Sequence, residues 1–443
     1  MMRFGILLLG AALGMAPLEG QKPLVPALSH YTLKNGLAVV LSENSDLPLV
    51  SVVVGYSAGS IHELPGKTGV SYLLEKLMMS AGSANVAPFA QILDINRVGG
   101  SLNANALEDQ TLYYQTVPSN HLAMALWLES DRMRMLDITE ENFEKARGEL
   151  LQELQDRKTT ESYLTSLLAF DQLIYSDFPF SHSLLGEEID VRNLTLEDVR
   201  SFYEARYAPS NAVLCICGDF NKLKARELVA RYFESLPAGK SAPTAFEPPY
   251  RIKVLVDKTM VDAMASAPGV FIGFRLAAPA SEYYPIMTLL DFVLMRGRSA
   301  RLPRRLLNRE AKIAFQLSGG IEHRLNRSVY KIFIAASQIQ IPFCRAAVFA
   351  ELEKLKTKFL GESEIAKAKT LFRQNILSRT TPTIDRAIFL TESYWIYQSA
   401  GRTLDDLGKD LESVLRVTAS DLVGIMARYF TLDNCVILQV RMK

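Results

Sequence analysis

The chain has 443 residues, 49% of them hydrophobic, with 49 basic and 48 acidic side chains for a formal net charge of +1. That length exceeds one ordinary core and predicts two or more domains. The near-zero charge supplies no overall field for gathering nucleic acid or an anionic membrane, so binding either would need a local patch.

The first residues, MMRFGILLLGAALGMAPLEG, place one arginine before an apolar run and then small and polar residues. This is the layout of a secretory signal peptide over 1–20, and the run is short for a membrane span. An uncleaved anchor is the alternative. The expectation is an exported, periplasmic protein without stable membrane insertion once the signal is removed. Export permits disulfides. The cysteines do not predict any: Cys215 and Cys217 sit two apart on one face of a strand, where they cannot readily bond each other, and Cys344 and Cys435 lie far away in sequence.

Strand-like runs follow in GLAVVLSEN and LVSVVVGYSAG, then a helix over 69–79 whose Val70, Leu73, Leu74, Leu77 and Met78 form one apolar face. Tyr72, Glu75, Lys76 and Met79 take the other side. SLNANALED and TLYYQTVP read as further strands, and ITEENFEKARGELLQELQDR as a helix with the stripe Phe143, Ala146, Leu150, Leu154. Glu153 falls at the border of that stripe. Residues 236–250 hold four prolines among small residues, which is linker composition. Beyond them GVFIGFRLAA and SVYKIFIAAS are strands. The run RGRSARLPRRLLNR has six arginines without stacking aromatics, and reads as a solvated helix start with ion pairs rather than a polyanion grip.

LTLEDVRSFYEARYAPSNAVLCICG has a counterpart in VTASDLVGIMARYFTLDNCVILQV: a Thr-started helix, Ala-Arg-Tyr, a turn with Asn, then an apolar strand. Two copies of one domain, 24–235 and 251–443, are the economical explanation. The predicted class is α+β, each domain a mostly antiparallel sheet packed with helices.

Several ordered features resemble the insulinase/pitrilysin family of zinc peptidases: Asn35-Gly36, Gly-Ser-x-x-Glu at 59–63, Gly69, Gly-Gly-x-x-Asn-Ala at 99–104, Asp109 with Thr111, and the closing segment of the first half. The resemblance implies a clam-shell half with the helix 69–79 on the inner wall of a cleft. In that family the helix carries His-x-x-Glu-His: two zinc-binding histidines and a general base, completed by a later glutamate ligand. The matching positions here are Tyr72, Glu75, Lys76 and Glu153, so both carboxylates remain and both imidazoles are gone. Where the family places a second glutamate earlier in the later helix, this chain has Ala146. None of the five histidines lies three to five residues from another, so no new pair replaces the lost one.

The family's second domain supplies an Arg and a Tyr that hold the substrate carbonyl. Arg309 and Phe315 stand there, and Phe315 has no hydroxyl. The strand with Asn103 and Ala104 would line the cleft, where a substrate adds as a further strand through backbone hydrogen bonds. The resemblance thus implies an inactive subunit with no zinc of its own, paired with an active zinc-bearing homologue around a polypeptide substrate. A peptidase with non-standard ligands and a binding protein without a proteolytic partner are the alternatives. Glu75 and Glu153 should still converge, with the Lys76 ammonium in the metal's place and the Tyr72 hydroxyl nearby.

Overall fold

The computed structural model describes residues 23–239, 255–308, 313–357 and 360–443. The expected signal peptide at 1–20, most of the expected linker at 236–250, and Arg309 lie outside the described residues.

The first half runs through strands β1 (Ser29–Thr32), β2 (Ala38–Glu43) and β3 (Leu49–Tyr56), helices α1 (Val70–Ser80) and α2 (Ala90–Arg97), and the hairpin β4 (Ser101–Ala106) and β5 (Thr111–Pro118). Helices α3 (Leu122–Arg134), α4 (Glu140–Thr160), α5 (Leu164–Tyr175), α6 (Phe178–Ser181), α7 (Glu188–Asn193) and α8 (Leu196–Arg206) lead to strand β6 (Ala212–Gly218) and helix α9 (Lys222–Phe233). The second half has strands β7 (Val256–Asp262) and β8 (Gly269–Arg275), helices α10 (Tyr284–Leu294) and α11 (Arg301–Leu306), and the hairpin β9 (Gln316–Arg324) and β10 (Arg327–Ala335). It closes with α12 (Ile341–Thr357), α13 (Glu362–Thr380), α14 (Thr383–Ser399), α15 (Leu407–Val414), α16 (Ala419–Tyr429) and β11 (Cys435–Met442).

Among the described residues two sheets form, in the orders β1-β2-β6-β3-β5-β4 and β7-β11-β8-β10-β9. Without β1 the two orders are the same. The last strand of each half lies parallel to the first core strand, β6 to β2 and β11 to β7, and the remaining pairs are antiparallel. The repeat extends to local chemistry. Thr195 and Thr418 each cap a helix by accepting from the N–H of Asp198 and Asp421, whose side chains reach back to the cap residue. Each capped helix ends in the Ala-Arg-Tyr that leads into the last strand.

The halves are not independent bodies, which no local pattern in the chain indicates. Helix α5 of the first half packs on β8 and β11 of the second sheet, while α14 of the second packs on β3 and β6 of the first. Each sheet is therefore covered by its own helices on one face and by a borrowed helix on the other. Phe170 and Ile174 of α5 share a core with Phe271, Phe333 and Val436, and Ala387, Leu390 and Trp395 of α14 share one with Val40, Val53 and Cys215. Equivalent glycines admit the two borrowed helices. A Cβ on Gly55 of β3 would stand 2.5 Å from Thr391 Cγ2, and one on Gly273 of β8 would stand 2.6 Å from Phe170 Cζ. Cys215 and Cys217 are free and buried, with their Sγ atoms 3.8 Å apart, and Cys344 and Cys435 are free as well.

Gly273→Val should cost about 1–3 kcal/mol, because it overpacks a filled helix–sheet contact. Gly148→Ala, in open space on α4, should instead stabilise by about 0.5–1 kcal/mol through helix propensity. Urea unfolding midpoints of the two variants check the opposite signs.

Candidate functional site

Helix α1 buries Val70, Leu73, Leu74, Leu77 and Met78 at no more than 3% exposure, which turns Tyr72, Glu75 and Lys76 to the other side. Its start is held by a carboxylate that the chain brings from outside the helix. Glu63, 4% exposed, accepts from the N–H of Gly69 at 2.9 Å, and from the N–H and hydroxyl of Ser71 at 2.8 and 2.6 Å. Its second oxygen also faces His182 Nε2 at 3.1 Å. A carboxylate on the unpaired amides of a helix start satisfies those donors and the helix dipole together. Burial pushes the His182 pKa down, but its hydrogen bonds to Glu63 and to the Phe178 carbonyl outweigh that and raise it.

Opposite α1, helix α4 buries Phe143, Ala146, Leu150 and Leu154 and leaves Glu153 half-buried at the edge of that stripe. The structure brings Glu153 onto the polar face of α1. The Tyr72 hydroxyl donates to Glu153 Oε1 at 2.8 Å, and Lys76 Nζ lies 2.8 Å from Glu153 Oε2. The ammonium also sits 5.3 Å from the centre of the Tyr72 ring, within cation–π range. Burial raises the Glu153 carboxyl pKa, but the hydrogen bonds from Lys76 and Tyr72 overcome it and hold it below the usual carboxylate range. Burial and then the bond to Glu153 push the Tyr72 phenol well above its usual value. Glu75 goes the other way from Glu153. Burial raises its pKa, Lys76 partly offsets this, and the charge on Glu153 adds to it.

Arg157, one turn beyond Glu153, was not singled out in the sequence. It makes a two-pronged bond to Glu161 at 2.7 and 2.9 Å and lines a cavity of about 500 Å³ between the α4–α5 junction and strand β9 of the second half. Nothing in its local sequence separates it from the other charges of α4. Asn103 and Ala104 lie on β4, the edge strand of the first sheet; Asn103 is exposed and its side chain accepts from the Ala104 N–H at 2.9 Å. Phe315, just before β9, is 65% exposed, and its N–H donates to the Ala335 carbonyl. The arginine run does make ion pairs, from Arg296 to Asp291 and from Arg301 to Glu364.

Zinc requires three or four nitrogen, sulfur or carboxylate ligands at about 2.0–2.3 Å. The residues here do not fit it. Tyr72 is held in its protonated, donating form, Lys76 has no lone pair to give, and a cation approaching Glu153 would have to displace an ammonium already seated there. Among the described residues no group of three or more His, Cys, Asp and Glu side chains could hold a metal ion.

Lys76→Met should cost about 1–2 kcal/mol at neutral pH. This is below the roughly 3–5 kcal/mol of a fully buried pair, because both side chains retain some solvent contact. A carboxyl held below its ordinary value stabilises the fold above that value and loses the contribution as pH falls through the lower one. The gap between wild type and Lys76→Met should therefore be full above pH 4.5, the ordinary glutamate value, and shrink below it. Thermal unfolding of both proteins across this range measures it.

Two family models match the chain, "Insulinase (Peptidase family M16)" over residues 38–185 and "Peptidase M16 inactive domain" over 193–372. The zinc protease PqqE of Helicobacter pylori is 27% identical over 417 residues, covering 92% of this chain and 91% of that one. The crystal structure of a protease from Helicobacter pylori superposes with a TM-score of 0.86 at 25% identity, covering 94% of this chain and all of that one. The periplasmic protease PqqL from Escherichia coli superposes with a TM-score of 0.76 at 17% identity, covering 94% of this chain and 47% of that longer one. With both halves matched by models of one family, and with the repeated two-sheet fold shared by these structures, the chain belongs to the insulinase (M16) peptidase family.

Proposed function

We propose that this chain is a catalytically inactive M16 subunit, exported to the periplasm, that binds or encloses a polypeptide while an active, zinc-bearing homologue cuts it. The observation that carries the reading is the Lys76–Glu153 ion pair, with Tyr72 on the second carboxylate oxygen. It occupies the donor that a metal would need and replaces two imidazoles with groups that cannot ligate. Zinc would then belong to the partner, with no cofactor held by this chain.

The substrate would add to the open edge of β4 at Asn103 and Ala104. Backbone pairing of this kind depends little on side chains and survives loss of the metal. Arg309 and Phe315 would contact the polypeptide from the second half, with Phe315 providing an apolar surface in place of a hydroxyl donor. Pairing of two such chains is supported by the length relation to PqqL, of which this chain covers 47%. No helix among the described residues is long and apolar enough to cross a membrane.

Co-expression with an exported M16 homologue bearing an intact His-x-x-Glu-His should give a stable heterodimer. Adding this chain should raise that homologue's peptide cleavage to a plateau at equimolar ratio. Partner activity that stays flat at saturating amounts would instead leave a binding protein without a proteolytic role. Cleavage by this chain alone, abolished by Glu75→Gln, would show a peptidase with non-standard ligands.

A further inference from the structure

The hairpins β4–β5 and β9–β10 occupy equivalent places in the two sheets, and their turns meet. In the first turn the Leu107 N–H donates to the Gln110 carbonyl at 2.8 Å, which projects Glu108 and Asp109 toward the second half. Asp109 Oδ2 accepts from the N–H of Leu325 at 2.6 Å. Leu325 is at the tip of the other turn, with a φ of 49° in the left-handed region. Glu108 pairs with Arg324 at 3.0 Å, and its carbonyl accepts from the N–H of Ile61 at 2.9 Å.

Behind Arg324 lies a buried set of charges. Arg324 reaches Asp171 of α5 at 2.7 Å and Glu322 at 2.8 Å, and Lys331 reaches the same two carboxylates at 2.6 and 2.8 Å. The cations therefore have several carboxylates to serve, and Asp109 receives little of their charge. The Leu325 donor that reaches it across the junction is a neutral backbone amide. Part of the residue's surface stays accessible, while its carboxyl group is densely surrounded by protein atoms.

We propose that this turn-to-turn contact is a proton-responsive clasp between the two halves, closed most firmly when Asp109 is neutral and loosened when it is charged. Because β4 ends at Ala106, one residue before the turn, the clasp fixes the end of the edge strand that carries Asn103 and Ala104. The inference stands on the contact itself and does not require a proteolytic partner.

The direction of the response follows from the environment. Burial is the largest cause holding the Asp109 carboxyl up at about 6; the amide of Leu325 lowers it, Glu108 raises it, and Arg324 lowers it. The ordinary value is 3.8. A group whose docked pKa lies above its released value stabilises the docked form in acid and loses that contribution as pH rises through the docked value. If release brings Asp109 into water, opening becomes about tenfold rarer at pH 5 than at pH 7.5.

Hydrogen exchange by mass spectrometry on the full chain tests this, using peptides that span 101–118 and 320–330 and rates corrected for the intrinsic pH dependence. Protection in the wild type should rise about tenfold from pH 7.5 to pH 5. Asp109→Asn, which keeps an acceptor for the Leu325 amide without the charge, should hold the higher protection at both pH values. Wild-type protection that does not change with pH, or an Asp109→Asn variant with the same pH dependence as wild type, overturns the clasp.

Discussion

Helices α5 and α14 are exchanged between the two sheets, and this swap sets where every other element can pack. Each sheet has two apolar faces, and helices of one half cover only one of them. Lending a helix in each direction buries both remaining faces at once, and leaves neither half with a complete core of its own. Helix α4, which presents Glu153, is separated from the borrowed α5 by a few residues. The hydroxyl of Tyr163 in that connection bonds the Ala267 carbonyl at 2.8 Å, so the carboxylate facing α1 is anchored from both halves.

Within that frame the polar face of α1 has become a set of interactions that close on themselves. Glu63 fixes the helix start, Tyr72 and Lys76 satisfy one oxygen each of Glu153, and burial pushes Glu75 toward its neutral form. Two carboxylates brought together need a cation between them or a proton on one of them. Here an ammonium pairs with Glu153, and burial together with the charge on Glu153 raises the Glu75 pKa. The outcome is a stabilising cluster whose members satisfy one another.

Much of this was legible in the sequence, because it rests on short-range pattern. The stripe from Val70 to Met78, the capping residues Thr195 and Thr418, and the alternation of Cys215 and Cys217 all follow from helix and strand periodicity. The meeting of Tyr72 and Lys76 with Glu153 came instead through the resemblance, since no periodicity relates residues 81 and 77 apart. The helix exchange was not legible. An apolar helix face states that it will be covered, and says nothing about which sheet will cover it. The same limit hid Arg157, His182 and the meeting of Asp109 with Leu325, whose partners are set by tertiary approach alone.

We propose that Tyr72 and Lys76 stand at the family's histidine positions, so that an ion pair takes the place of the metal while the surrounding geometry is kept. Zinc titration calorimetry on the wild type and on the Tyr72→His, Lys76→His double variant tests it most directly, with Glu153→Gln added to the double variant as the third protein. The wild type should bind no zinc specifically, the double variant should hold one tight site, and Glu153→Gln should abolish it. Stoichiometric zinc in the wild type, removed by Glu75→Gln or Glu153→Gln, would contradict it.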